Sequence, residues 1–174
     1  MKDLIHSFDR VVGDWVAALP RWLRPLMLLF TLIGQPPFTV GVAAAVLGYG
    51  AALNKPIYIA AGLVSLITLA AVSLLKLVLR RARPRNNYSK NMWFKSFSFP
   101  SGHAAGSLVS FVMAALIIGN KWPEFAVTAL VVAIIGCFFI ALSRIYLGAH
   151  YASDIIGGWI VGGVGLAVVI YIVK

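Results

Sequence analysis

Four long stretches of this 174-residue chain carry no charged side chain: 57–75, 104–119, 125–142 and 155–173. A helix crossing the hydrocarbon core of a bilayer needs about 20 apolar residues in a row, with a working range of roughly 17–25. Within that core only helices and closed barrels can satisfy their own backbone hydrogen bonds. A fifth run, 38–53, is slightly short. It follows an apolar segment, 26–34, across Gln35-Pro36-Pro37, where the proline pair stops or kinks a helix. Only 11% of the residues are charged, where a soluble domain carries about a quarter. The expected fold class is all-α: a polytopic membrane helical bundle with five transmembrane helices, or six if 26–34 crosses by itself. It is expected to form a single domain over 1–174.

Residues 4–19 place Leu4, Ile5, Phe8, Val11, Val12, Trp15, Val16 and Leu19 at helical spacing, and Asp3, Asp9, Arg10 and Asp14 are assigned largely to the other side. This predicts an N-terminal amphipathic interfacial helix within 1–24. Pro20 ends it, and Arg21, Trp22 and Arg24 suit the headgroup region. The scattered charges and the lack of an unbroken apolar core argue against a cleavable signal peptide. In the last apolar run Gly158 and Gly162 lie four apart, a spacing that lets helices approach closely and predicts a place at the bundle centre. Cys137, the single cysteine, sits in an apolar run and reads as a small buried hydrophobe.

The formal charge is +10, from 15 lysines and arginines against five acids. In a soluble protein this would suggest nucleic acid. Here it points to the lipid bilayer and a phosphorylated membrane lipid, with no nucleic acid partner. Alternation of the spans brings three polar joints to one membrane face. The first holds Lys76 and Arg83, the second Pro100-Ser101-Gly102-His103, and the third Ser143-Arg144, His150 and Asp154. Arginine forks match phosphate oxygens bidentately, and the free N–H groups where a helix begins at Ser101 and Gly102 hold anions. His150 and Asp154 are four apart and share a face if helical. A carboxylate on one ring nitrogen leaves the other free to attack, and His103 is placed to protonate a leaving group. Arg80, Arg81 and Arg85 read as lipid-headgroup anchors. His6 is expected to be solvated, and Asp154 and Glu124 to lie at opposite faces. No metal site and no cofactor are therefore expected.

The segments Lys76-x6-Arg83-Pro84, Pro100-Ser101-Gly102-His103 and Ser143-Arg144-x5-His150-x3-Asp154 resemble the three-part signature of the type 2 phosphatidic acid phosphatase superfamily, at every signature position and in order. The motif region spans 76–154. The resemblance implies a metal-independent phosphatase working through a phosphohistidine, in a helical bundle that commonly has six spans, the first of them lacking here. His150 then resembles the nucleophile, Asp154 its orienting partner and His103 the general acid. Lys76, Arg83, Ser101, Gly102 and Arg144 resemble the phosphate cradle.

Substrates among bacterial relatives of this kind include lipid A 1-phosphate, undecaprenyl pyrophosphate, phosphatidylglycerol phosphate and phosphatidic acid. Compact size and the interfacial helix make the chain similar to lipid A 1-phosphatases and small undecaprenyl pyrophosphate phosphatases. An aromatic-rich loop over 88–99 is expected to roof the site. Twelve of the 15 lysines and arginines fall on the active-site side, which by the positive-inside rule argues for the cytoplasm. The resemblance instead implies a bacterial inner membrane protein with its site on the periplasmic face, and that is the expectation adopted. Two alternatives are a phosphotransferase using the same phosphohistidine and a phospholipid transporter without turnover. Against the transporter, the sequence has no inverted internal symmetry.

Overall fold

The computed structural model describes residues 2–92 and 96–173, and every regular element among them is helical. In chain order these are α1 (Lys2–Ala17), α2 (Arg24–Ile33), α3 (Pro36–Ala52), α4 (Pro56–Leu79), α5 (Asn87–Lys90), α6 (Gly102–Lys121), α7 (Ala126–Tyr146) and α8 (Ala152–Val173). Helices α4, α6 and α8, and the segment Pro123–Tyr146 that contains α7, are long and apolar enough to cross a membrane.

The chain leaves α1 at the sequence Leu19-Pro20. The segment Arg21–Ile33 then departs at 91°, so α1 and α2 are not one straight span. At 10 residues, α2 is about 15 Å long and cannot cross alone, which removes the six-span alternative. Its Phe30 stacks on Phe139 of α7 at 5.0 Å between ring centroids. Pro36 and Pro37 do not end a helix; they occupy the first turn of α3, where a missing N–H costs nothing and φ is already helical. Helix α3 has 17 residues and is the shortest of the five helices that traverse the bundle. It runs antiparallel to α4 through the turn at Asn54-Lys55.

Packing follows what lipid allows. Large side chains such as Ile67, Leu74, Val127, Val132, Ile160 and Val164 are exposed on the outer faces. The interior face of α6 is built from Ala104, Ala105, Gly106, Ser107 and Ser110, with Val109, Val112 and Met113. Between helices in lipid there is no apolar driving force, so small residues that let backbones touch hold the bundle together. Gly158 and Gly162 place α8 directly against α6. A Cβ on Gly158 would sit 2.5 Å from the Ser101 carbonyl, and one on Gly162 2.8 Å from that of Ala105. The central helix is nonetheless α6, with 61% of its apolar window buried against 33% for α8. The glycines mark the closer contact, not the centre. Cys137 is buried in α7.

Candidate active site

The ends of α4, α6 and α8, with the strap that joins α4 to α6, enclose a pocket of about 470 Å³ at one end of the bundle. Lys76, Arg83, Gly102, His103 and Arg144 line it, together with Arg24, Gln35, Asn87 and Tyr88. Ser101 caps α6, its Oγ accepting the Ala104 N–H at 3.4 Å. The Ser101 N–H itself donates to the Asp154 carbonyl at 2.9 Å. Among the described residues the amides of Gly102 and His103, next in the first turn, have no acceptor and remain available to an anion.

His150 lies outside α8, so the pair four residues apart does not meet as two side chains on one helical face. Residues 147–151 form an irregular joint, in which Gly148 takes φ +64, a left-handed conformation that glycine adopts without a steric cost. The Arg144 carbonyl accepts the N–H groups of both Ala149 and His150, at 2.9 and 3.2 Å. Asp154 sits in the first turn of α8, and its Oδ2 accepts the Tyr151 N–H at 2.8 Å. That is half of a capping box, and it places the carboxylate beside the imidazole. His150 Nδ1 is 3.4 Å from Asp154 Oδ2.

On the other side of the ring, Arg83 NH1 lies 3.1 Å from His150 Nε2. Arginine only donates, so Nε2 carries a lone pair and Nδ1 the proton, facing Asp154. His150 is held well below the usual imidazole range by burial first, then by the charges of Arg144, Arg83 and Lys76. It is therefore neutral. The Arg83 guanidinium is lowered to about 10 by burial and by Arg144, and it stays charged at neutral pH. Its other donors hold the strap: Nε to the Ser96 carbonyl at 2.8 Å and NH1 to the Ala149 carbonyl at 2.9 Å. Lys76 Nζ donates to the Phe97 carbonyl at 3.3 Å. Arg144 is 1% exposed; it donates to Thr31 Oγ1 on α2 and to Tyr88 Oη at 3.2 Å. Its Nε and His103 Nε2 are buried without a partner among the described residues, as groups awaiting a ligand would be.

The three joints thus converge at one end of the bundle, and a family model described as the PAP2 superfamily matches residues 57–174. The chain belongs to the PAP2 superfamily. It is 27% identical over 164 residues to phosphatidylglycerophosphatase B of Bacillus subtilis (strain 168), covering 91% of this chain and 79% of that one. It is 28% identical over 145 residues to undecaprenyl-diphosphatase of Sulfolobus acidocaldarius, covering 80% of this chain and 66% of that one. Its fold matches the crystal structure of a transmembrane PAP2 type phosphatidylglycerolphosphate phosphatase from Bacillus subtilis with a TM-score of 0.76, at 24% identity over 97% of this chain and 85% of that chain. The chain is thus a multi-pass membrane protein with the PAP2 bundle.

Several residues of this PAP2 site were not legible beforehand. Ser98 Oγ donates to Asp154 Oδ2 at 2.5 Å. Arg81 is no headgroup anchor: it reaches inward to Asp154 Oδ1 at 2.7 Å and to Asp9 Oδ2 at 2.6 Å. Asp9 is not on a solvated side of α1 but 6% exposed. A signal for Asp9 did exist. It lies in register with Ile5, Phe8, Val12 and Val16, inside the apolar stripe, where an acid needs a partner. For Thr31 and Tyr88 no local pattern marks the role. Of the expected roof, Tyr88 and Met92 reach Arg144, while Trp93, Phe94 and Lys95 lie outside the described residues.

Proposed function

We propose that the chain is a lipid phosphate phosphatase that hydrolyses a phosphomonoester or diphosphate on a membrane lipid through a phosphohistidine on His150. One observation carries this reading: a neutral, buried imidazole with Asp154 behind Nδ1 and its Nε2 lone pair turned toward a cation-lined pocket. Family membership and the names of the relatives support the phosphatase class.

In this mechanism Lys76, Arg83, Arg144 and the Gly102 and His103 amides hold the phosphate oxygens. Arg83 exchanges its contact with Nε2 for one with the phosphate, which exposes the lone pair. Nε2 then forms a bond to phosphorus as the bond to the leaving oxygen breaks. Developing charge on the ring is stabilised through Nδ1 by Asp154. His103 Nε2 gives its proton to the leaving oxygen, and then takes one from the water that cleaves the N–P bond. That second step frees phosphate and restores His150. Phosphoryl transfer of this kind depends on positioning and charge neutralisation, which is what the cradle supplies.

The pocket opens at the membrane face, so a lipid can present its phosphate while its tails remain in the bilayer. The enzyme is read as residing in a bacterial inner membrane with this pocket on the periplasmic side, as the signature resemblance implies.

The test is phosphate release by purified protein in detergent with EDTA present. The substrates are phosphatidylglycerol phosphate, undecaprenyl pyrophosphate, lipid A and phosphatidic acid. Release that persists in EDTA and is abolished in both His150→Ala and Asp154→Asn is expected, and the ranking of rates names the substrate. Near-wild-type turnover by either folded variant would sink the roles assigned. Product formed only with an added acceptor would move the reading to a phosphotransferase.

A further inference from the structure

Behind Asp154, on the side away from the pocket, lies a second polar cluster that the phosphate cradle does not include. Asp9 of α1 contributes both carboxylate oxygens. Oδ1 accepts the Ser153 N–H at 2.8 Å, and Oδ2 accepts the Ser153 hydroxyl at 2.8 Å and Arg81 NH2 at 2.6 Å. Arg81 NH1 donates to Ser153 Oγ and to Asp154 Oδ1, each at 2.7 Å. One guanidinium therefore joins an acid in the N-terminal helix to the acid beside His150. Neither Asp9 nor Arg81 lines the pocket. The Arg81 ring-facing side also lies over Tyr151, 4.4 Å from its centroid.

The consequence for Asp154 is geometric. Its Oδ2 is shared by Ser98, Tyr151 and His150, and its Oδ1 is held by Arg81. Without the Oδ1 contact the carboxylate plane is free to turn, and the oxygen facing Nδ1 loses its fixed direction. The Asp154 side chain is fully buried, and a buried carboxylate that loses its cation is costly. Asp9 in turn fixes Arg81, since the fork needs a carboxylate at each end to hold one orientation. Burial disfavours the charge on Arg81, but Asp9 and Asp154 outweigh it and raise its affinity for the proton.

We propose that Asp9 and Arg81 are positioning residues for the Asp154–His150 pair, so that the nucleophile is fully oriented only when α1 is docked against the start of α8. This rests on the phosphatase reading above and deepens it: the interfacial helix is part of the active site, although it touches no substrate.

The test compares Arg81→Gln, Asp9→Asn, the double variant and Arg81→Lys with wild type, all purified in detergent and assayed on the best of the four lipids. Expected is a fall in kcat of about tenfold for Arg81→Gln, with KM changed by less than about twofold, since only the charge-assisted contact to Asp154 is lost. Asp9→Asn should fall by less, again in kcat alone. The double variant should match Arg81→Gln, because Asp9 acts only through Arg81. Arg81→Lys should recover part of kcat by restoring one of the two contacts.

A rise in KM at constant kcat would make Arg81 a substrate contact and overturn the inference. So would multiplicative losses in the double variant. If Arg81→Gln fails to elute as a folded species, Asp9→Asn carries the test, and wild-type kcat in that variant overturns the inference. Absence of phosphate release from wild type overturns the phosphatase reading and this inference with it. Wild-type turnover matched by Arg81→Gln overturns this inference alone.

Discussion

Arg83 and Ser98 act on opposite sides of the same imidazole, and each makes a distinct prediction. The charge of Arg83 helps keep His150 neutral. Protonation of Nε2 would abolish attack, so activity is lost as pH falls through the His150 pKa. Because that pKa is depressed, the acid limb of kcat/KM should lie well below pH 6.5, the model value for histidine. Arg83→Gln removes one of the depressing charges and should move the limb upward. Ionisation of the lipid phosphate is common to both proteins, so the difference between the two profiles reports the enzyme. An unshifted limb would remove Arg83 from the environment of the nucleophile. Ser98 presents the shortest contact to Asp154, 2.5 Å to Oδ2. A hydrogen bond to a charged group contributes about 1.5–3 kcal/mol. Ser98→Ala should therefore lower kcat by roughly 10–150-fold with little change in KM. Steady-state kinetics on a lipid monoester would show it, and an unchanged kcat would mean that Tyr151 and Arg81 suffice to hold the carboxylate.

At the scale of elements, the long apolar runs were legible because a bilayer leaves one solution for a backbone, and they became α3, α4, α6, α7 and α8. The three signature joints were legible too, since alternation of spans forces them to one end. What the pattern did not reveal depends on chain reversal. Arg80 ends α4 in the left-handed region, at φ 48, which turns the strap so that Arg81 faces inward. The Ser98 N–H, bonded to the Arg81 carbonyl at 2.7 Å, closes the strap on itself. No periodicity encodes such a turn at an arginine, so Arg81 looked like a headgroup anchor. The close α6–α8 contact makes a sharper prediction. A Cβ on Gly162 would press on the Ala105 backbone, whereas one on Gly163 would meet nothing within 4 Å. Gly162→Leu should destabilise the bundle by about 1–3 kcal/mol, as overpacking does, and lower the thermal midpoint in detergent. Gly163→Leu faces open space and should leave the midpoint near that of wild type. Equal effects would mean that α8 does not bear on α6 through this face.

For the whole molecule the open tension is between charge and side. Twelve of the 15 lysines and arginines lie at the active-site end, and the positive-inside rule places such an end in the cytoplasm. Four of the twelve are engaged by the site itself. Lys76, Arg83 and Arg144 line the pocket, and Arg81 joins Asp9 to Asp154. Their presence is explained by chemistry whichever way the bundle faces. The remaining eight, against Lys55, Lys121 and Lys174 at the other end, form a weaker bias, and two of them, Arg21 and Arg24, flank the short α2. We therefore keep the periplasmic orientation as the prediction to test. Single cysteines at Asn91, beside the pocket, and at Lys55, in the α3–α4 turn, would be introduced in a Cys137→Ala background. A membrane-impermeant maleimide added to intact cells should label Asn91→Cys at once and Lys55→Cys only after the membrane is opened. The reverse order would place phosphate release in the cytoplasm and show that the charge bias outweighs the family resemblance.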